Sequence, residues 1–207
     1  MATSLAKSLV IFLHGVGSRG ADLAPLAQVW LPSLPTVAFA VPDGPFAFDG
    51  GGSGRQWFGI SGVTEANRPQ RIAAARPAFD DVLRRIIEQQ GLLSRLDRVV
   101  LVGFSQGSIM ALDAIGRWPF GAVIAYSGRL ASPRPFTPAR STQVLMVHGA
   151  VDPVIPAGNS TEAAATLREA GLNVHAHILP GVGHTITAQG AQLGAGFVAT
   201  TLSSEPD

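Results

Sequence analysis

Cysteine is absent from this 207-residue sequence, which excludes a disulfide framework, a thiolate metal site and a cysteine nucleophile. A chain without cysteine suits a reducing compartment, so a cytoplasmic location is expected. Charge is scarce as well. Only 14% of residues are charged, and 15 basic residues nearly cancel 14 acidic ones. No Lys/Arg cluster reads as a phosphate-binding face, which argues against a nucleic-acid partner. Long hydrophobic runs are also missing. The first apolar stretch, residues 9–13, is too short for a secretory core or a membrane span, so no stable membrane insertion is expected. Neither an internal repeat nor a linker breaks the chain, and residues 1–207 are expected to form one domain. What is plentiful is apolar residues, 46% of the total, enough for a substantial core.

The apolar residues fall in short runs: Leu9–Leu13, Val37–Val41, Val99–Phe104, Ala122–Tyr126, Val144–Val147 and Val174–Leu179. Most are continuous rather than alternating, as parallel strands covered on both faces should be. Between them Ile72, Phe79, Val82, Leu83, Ile86 and Ile87 recur at helical spacing up to Gly91, with Pro77 as a kink or a true start. Helices are also expected at 105–118 and 160–170, and a weaker one, interrupted by three glycines, at 185–202. Strand and helix in alternation predict a three-layer α/β fold with a mostly parallel central sheet. In such sheets the reactive groups gather beyond the carboxyl ends of the strands.

Three polar residues meet that requirement. Ser105 follows the run 99–104 inside Gly103-Phe104-Ser105-Gln106-Gly107, a G-x-S-x-G pattern that places serine on a tight strand-to-helix turn. Asp152 follows the run 144–147, and His184 follows 174–179 between Gly183 and Thr185. The order Ser, Asp, His is that of the α/β-hydrolases. A serine hydroxyl is a poor nucleophile at neutral pH. An imidazole must take its proton, and a carboxylate must hold that imidazole in the right tautomer.

Each assignment has a plainer alternative. Ser105 could cap a helix, and Asp152 could form a turn before Pro153. Asp43 also follows a strand and is the reserve acid, whereas Asp80, Asp81 and Asp113 sit on helices and Asp97 at the wrong strand end. His175 and His177 alternate along one strand, His148 reads as packing, and His14 as a brace for the glycine-rich turn HGVGSRG at 14–20. That turn supplies a second requirement of acyl transfer, backbone N–H donors aimed at a developing oxyanion. The expected donors are Val16 and the residue after the nucleophile, Gln106. The turn lacks the Lys-Ser/Thr ending of a P-loop, so nucleotide binding is not expected.

At this point the sequence resembles the phospholipase/carboxylesterase family of α/β-hydrolases, whose members include acyl-protein thioesterases. The matching pieces are IFLHGVGSRG, QWFGI at 56–60, LVGFSQGSIMAL at 101–112, AYSGRL at 125–130, VLMVHGAVDPVIP at 144–156 and GVGH at 181–184. The resemblance implies Ser105, Asp152 and His184 as a triad, with Val16 and Gln106 as oxyanion donors. Two departures touch the substrate side: Ser18 stands where the family usually has an acid, and Gly59 where Trp-Phe is often followed by Asp.

The expected activity is hydrolysis of short- to medium-chain carboxylic esters, with thioesters or lysophospholipids as further substrates. The alternatives are a serine peptidase on the same fold and a non-catalytic binding protein. Neither cofactor nor metal is expected, and the chain should be a monomer or homodimer without a large cap domain. In the aromatic segment 43–62, Trp57 and Phe58, with Phe46 and Phe48, are expected either to line an acyl pocket or to anchor the loop in the core.

Overall fold

A computed structural model describes residues 7–203. In chain order the elements are β1 (Ser8–Leu13), α1 (Ala24–Trp30), β2 (Val37–Ala40), β3 (Phe46–Ala47), β4 (Arg55–Gln56), α2 (Arg68–Gln89), β5 (Val99–Phe104), α3 (Gln106–Ala114), β6 (Ala122–Tyr126), β7 (Gln143–Gly149), α4 (Gly158–Glu169), β8 (Val174–Leu179) and α5 (Ala188–Ser203). Six strands form one sheet in the order β2-β1-β5-β6-β7-β8, and every neighbouring pair in it is parallel. Strands β3 and β4 form a separate antiparallel hairpin.

The continuous apolar runs are explained by two cores, one on each face of the sheet. Leu9, Ile11 and Leu13 of β1 point to the face covered by α2, α3 and α4, whereas Val10 and Phe12 point to the face covered by α1 and α5. The same alternation continues along β5 and β6, so these central strands are covered on both faces, whereas the edge strand β2 is half-buried and β8 exposes residues 175–178. In α2 the buried residues are Ile72, Ala75, Phe79, Leu83 and Ile87, one stripe at helical spacing. Pro77 lies inside α2 rather than at its start. Its ring faces solvent, where the hydrogen bond it cannot donate is least costly.

One glycine of α5 has a packing cause. A β-carbon at Gly194 would collide with Tyr126 and Trp30, so glycine allows α5 to lie directly on β6 and α1. The Tyr126 hydroxyl also donates to the Gly190 carbonyl at 2.9 Å. The chain leaves β1 toward β2 on one side and returns through β5 on the other. The sheet therefore has its switch point between β1 and β5, where a crevice opens at the carboxyl ends.

Candidate active site

Ser105 stands at that switch point. Its backbone adopts φ 53° and ψ −114°, a left-handed conformation that costs a non-glycine residue on the order of 1–3 kcal/mol and persists only where its surroundings enforce it. Here the Ser105 N–H donates to the Tyr126 carbonyl at 3.0 Å, and its own carbonyl accepts from Ile109 N–H at 3.2 Å. The flanking glycines are steric necessities. A β-carbon on Gly103 would strike the start of α3, and one on Gly107 would strike the carbonyl of Leu13 in β1. The sharp turn thus leaves a nearly buried serine at the end of β5, beside the loop that follows β1.

Asp152 and His184 arrive from the loops after β7 and β8. The two loops pack closely because Gly149 has no side chain to meet the carbonyls of Val182 and Gly183. His184 Nδ1 lies 2.7 Å from Asp152 Oδ2, with the carboxylate fully buried and the imidazole 17% exposed. The other oxygen, Oδ1, accepts N–H bonds from Val154 at 2.8 Å and Ile155 at 2.9 Å. Burial pushes the Asp152 carboxyl up, but the bonds from His184, Ile155 and Val154 outweigh it and hold the group below its ordinary 3.8. The Phe104 ring packs against the His184 ring, with centroids 4.9 Å apart. Nδ1 is thereby committed to the carboxylate, and Nε2 is the nitrogen left for chemistry.

A contact that sequence reasoning assigned to packing also reaches this group. His148 Nε2 lies 3.1 Å from Asp152 Oδ2 and 2.8 Å from the Ile155 carbonyl, both acceptors, so Nε2 carries the hydrogen. Nδ1 then accepts from the Ser160 hydroxyl at 2.6 Å. Asp152 is flanked by two imidazoles. Its HG-x-x-D spacing held the signal, but only the turn after β7 brings His148 back onto the carboxylate.

The loop after β1 is held rigidly. His14 Nε2 accepts the Gly44 N–H at 2.9 Å, and Nδ1 donates to the Gly15 carbonyl at 2.7 Å. Burial holds the His14 imidazole below its ordinary value and keeps it neutral. Gly17 N–H donates to the Arg55 carbonyl at 2.8 Å, and the Phe48 ring lies over Gly17. Val16 sits inside this loop, and Gln106 begins α3. Asp22 accepts from the Ser18 hydroxyl and from Arg19 N–H. Asp43, the reserve acid, is bound to Arg19 and to Gly20 N–H instead. His175, on β8, lies against Phe197 of α5 instead.

Trp57 and Phe58, expected either to line an acyl pocket or to anchor the loop, are placed in the core. Trp57 is 0% exposed and Phe58 3%, both in the core with α2. The indole packs edge-on against Phe79 at 5.4 Å and donates to the His14 carbonyl at 2.8 Å. The Gln106 side chain completes the brace, accepting from Trp57 N–H and donating to the Phe58 carbonyl, each at 2.8 Å. These bonds tie the segment to the loop after β1 and to α3. Among the described residues no three His, Cys, Asp or Glu side chains gather as a metal group, and no helix is long and apolar enough to cross a membrane.

A parallel sheet with this serine elbow and a hydrogen-bonded Asp–His pair defines an α/β-hydrolase. The Phospholipase/Carboxylesterase family matches residues 2–202, and the chain belongs to that family and is a carboxylic ester hydrolase. It is 34% identical to esterase YpfH of Escherichia coli K12 over 95% of this chain and 84% of that one. It is 30% identical to acyl-protein thioesterase 1 of Neurospora crassa, covering 89% of this chain and 82% of the relative. Among solved structures, esterase PE8 superposes with a TM-score of 0.87 at 35% identity, over 95% of this chain and 94% of PE8.

Proposed function

We propose that the protein hydrolyses short- to medium-chain carboxylic esters, thioesters among them, through Ser105, His184 and Asp152. The observation that carries this is the 2.7 Å bond between His184 Nδ1 and the buried Asp152 carboxylate, made by two loops that meet beside the strained Ser105. In this reaction His184 Nε2 takes the Ser105 proton as Oγ attacks the carbonyl carbon. The oxyanion is received by the N–H groups of Val16 and Gln106. Collapse breaks the bond to the leaving oxygen or sulfur, which receives the proton from His184. Water then repeats the sequence on the acyl-serine, with His184 again the base. The depressed carboxyl of Asp152 keeps its charge throughout and stabilises the imidazolium.

A fluorophosphonate should label the protein at Ser105, found by mapping the modified peptide; a label elsewhere, or none, would overturn the assignment. Ser105→Ala and His184→Ala should each lower kcat by on the order of 10^3-fold or more with folding intact, and Asp152→Asn by less than either. Activity should fall on the acid side because an imidazolium cannot accept the Ser105 proton, whereas the Asp152 carboxyl is held below its ordinary value. A profile flat from about pH 5 to 8 would count against a histidine base.

A further inference from the structure

We propose that the groove between α1 and the start of α5 binds an apolar alkyl chain on the leaving-group side of the ester. The proposal rests on the serine mechanism above and deepens it. The groove encloses about 480 Å³, within the range of small-ligand sites. Leu23, Leu26, Val29, Phe104, Ile186 and Ala188 line it, together with the polar Asp22 and Gln192. Val29 is 66% exposed, so its apolar side chain is accessible to a ligand in the groove.

Its side of the site follows from proton transfer. The leaving oxygen must come within hydrogen-bond reach of His184 Nε2 to be protonated, so the alcohol half of the substrate begins at His184. Two features continue from there into the groove. Thr185, Ile186 and Thr187 directly follow His184 and form its wall. Phe104, which lies against the His184 ring, also forms its wall and is bonded to Ser105. The oxyanion loop reaches the groove only through Asp22, which holds Ser18 and Arg19, while Gly17 within the loop lies under Phe48. A cavity by α2 and α4 has a different chemistry. It is lined by Arg68, Arg129 and Glu65, with both arginines bound to the Glu65 carboxylate. An alkyl chain entering there would meet ion pairs. The α1–α5 groove is the apolar one, and it opens where the alcohol departs.

The test uses two matched series, alkyl acetates from ethyl to octyl and methyl esters from acetate to octanoate. In the wild-type enzyme kcat/KM for the alkyl acetates should rise by up to about fourfold per methylene until the groove is filled. Ala188→Trp fills the groove from an exposed position, and Val29→Asp places a charge in it. Each should lower the octyl-to-ethyl acetate ratio by tenfold or more, while the octanoate-to-acetate ratio changes by less than twofold. The proposal is overturned if the leaving-group ratio stays within twofold in Val29→Asp, or if the acyl ratio takes the loss instead. Thermal midpoints and fluorophosphonate labelling are measured beside both. Failure to label Ser105 in the wild-type protein would sink the serine mechanism itself, whereas normal labelling with unchanged ratios sinks only the groove.

Discussion

The carboxylate of Asp152 is the most heavily engaged side chain of the site. It faces His184, His148 and two backbone N–H groups. The pull of His148 on Oδ2 competes with that of His184. Removing it in His148→Ala should leave the carboxylate freer to stabilise the imidazolium, moving the acid limb of kcat/KM to higher pH. The same variant takes one hydrogen bond from Asp152 and leaves a void beside it, so kcat/KM should fall about tenfold, the equivalent of one modest hydrogen bond. A purely structural role for His148 would lower the melting temperature and leave the limb in place. Measuring both quantities on one preparation separates the two.

At the scale of elements, the segment from β3 to Phe58 acts as a clasp. It is tied to β1 through the Trp57 indole and His14 carbonyl, and to α3 through Gln106. Trp57→Ala removes a buried ring and leaves both the His14 carbonyl and a cavity unfilled. Stability should drop by about 3–5 kcal/mol in urea denaturation, with activity falling on every ester together. A selective change in chain-length preference at unchanged stability would restore the pocket assignment. The clasp was half legible in the sequence. Its aromatic content marked it as more than a linker, but a buried brace and a substrate wall call for the same residues. Only the position of α2 over Trp57 distinguishes them.

Across the whole molecule, acid stability should follow the buried carboxylates and one histidine. Asp113 in α3 is fully buried and paired with Arg76 and Arg117, and Arg117 also pairs with Asp80. Burial pushes the Asp113 carboxyl up, but its arginine bonds hold it below the ordinary 3.8. A depressed carboxyl contributes stability that is present above its unfolded value and is lost as pH falls through its folded one. His14 acts at higher pH. Its folded value lies below 6.5, so the unfolded chain takes the proton first, and stability declines as pH drops from 6.5 toward the folded value. Thermal midpoints should therefore fall in two stages. Asp113→Asn should cost about 1.5–3 kcal/mol near neutrality, and its gap from the wild type should narrow below pH 3.8. A gap of constant size down to pH 2 would show that the Asp113 charge contributes nothing.

Sequence by itself determined the sheet and the order of the site. Continuous apolar runs can be satisfied only by strands covered on both faces, and the glycines around Ser105 admit little but a tight turn, so β1, β2, β5, β6, β7 and β8 and the placing of Ser105, Asp152 and His184 after their strands were all legible. Helix α1 was not, because its seven residues offer too short a period to read. Tertiary structure alone decided the rest. Gly194 weakens α5 as an isolated pattern, yet it is what Tyr126 and Trp30 require of a helix packed against them. His148 reaches Asp152 across a turn, and the groove beside His184 exists only where α1 and α5 meet. Local pattern reports what each residue prefers, whereas contact between distant residues is set by the packing of whole elements, which no single stretch encodes.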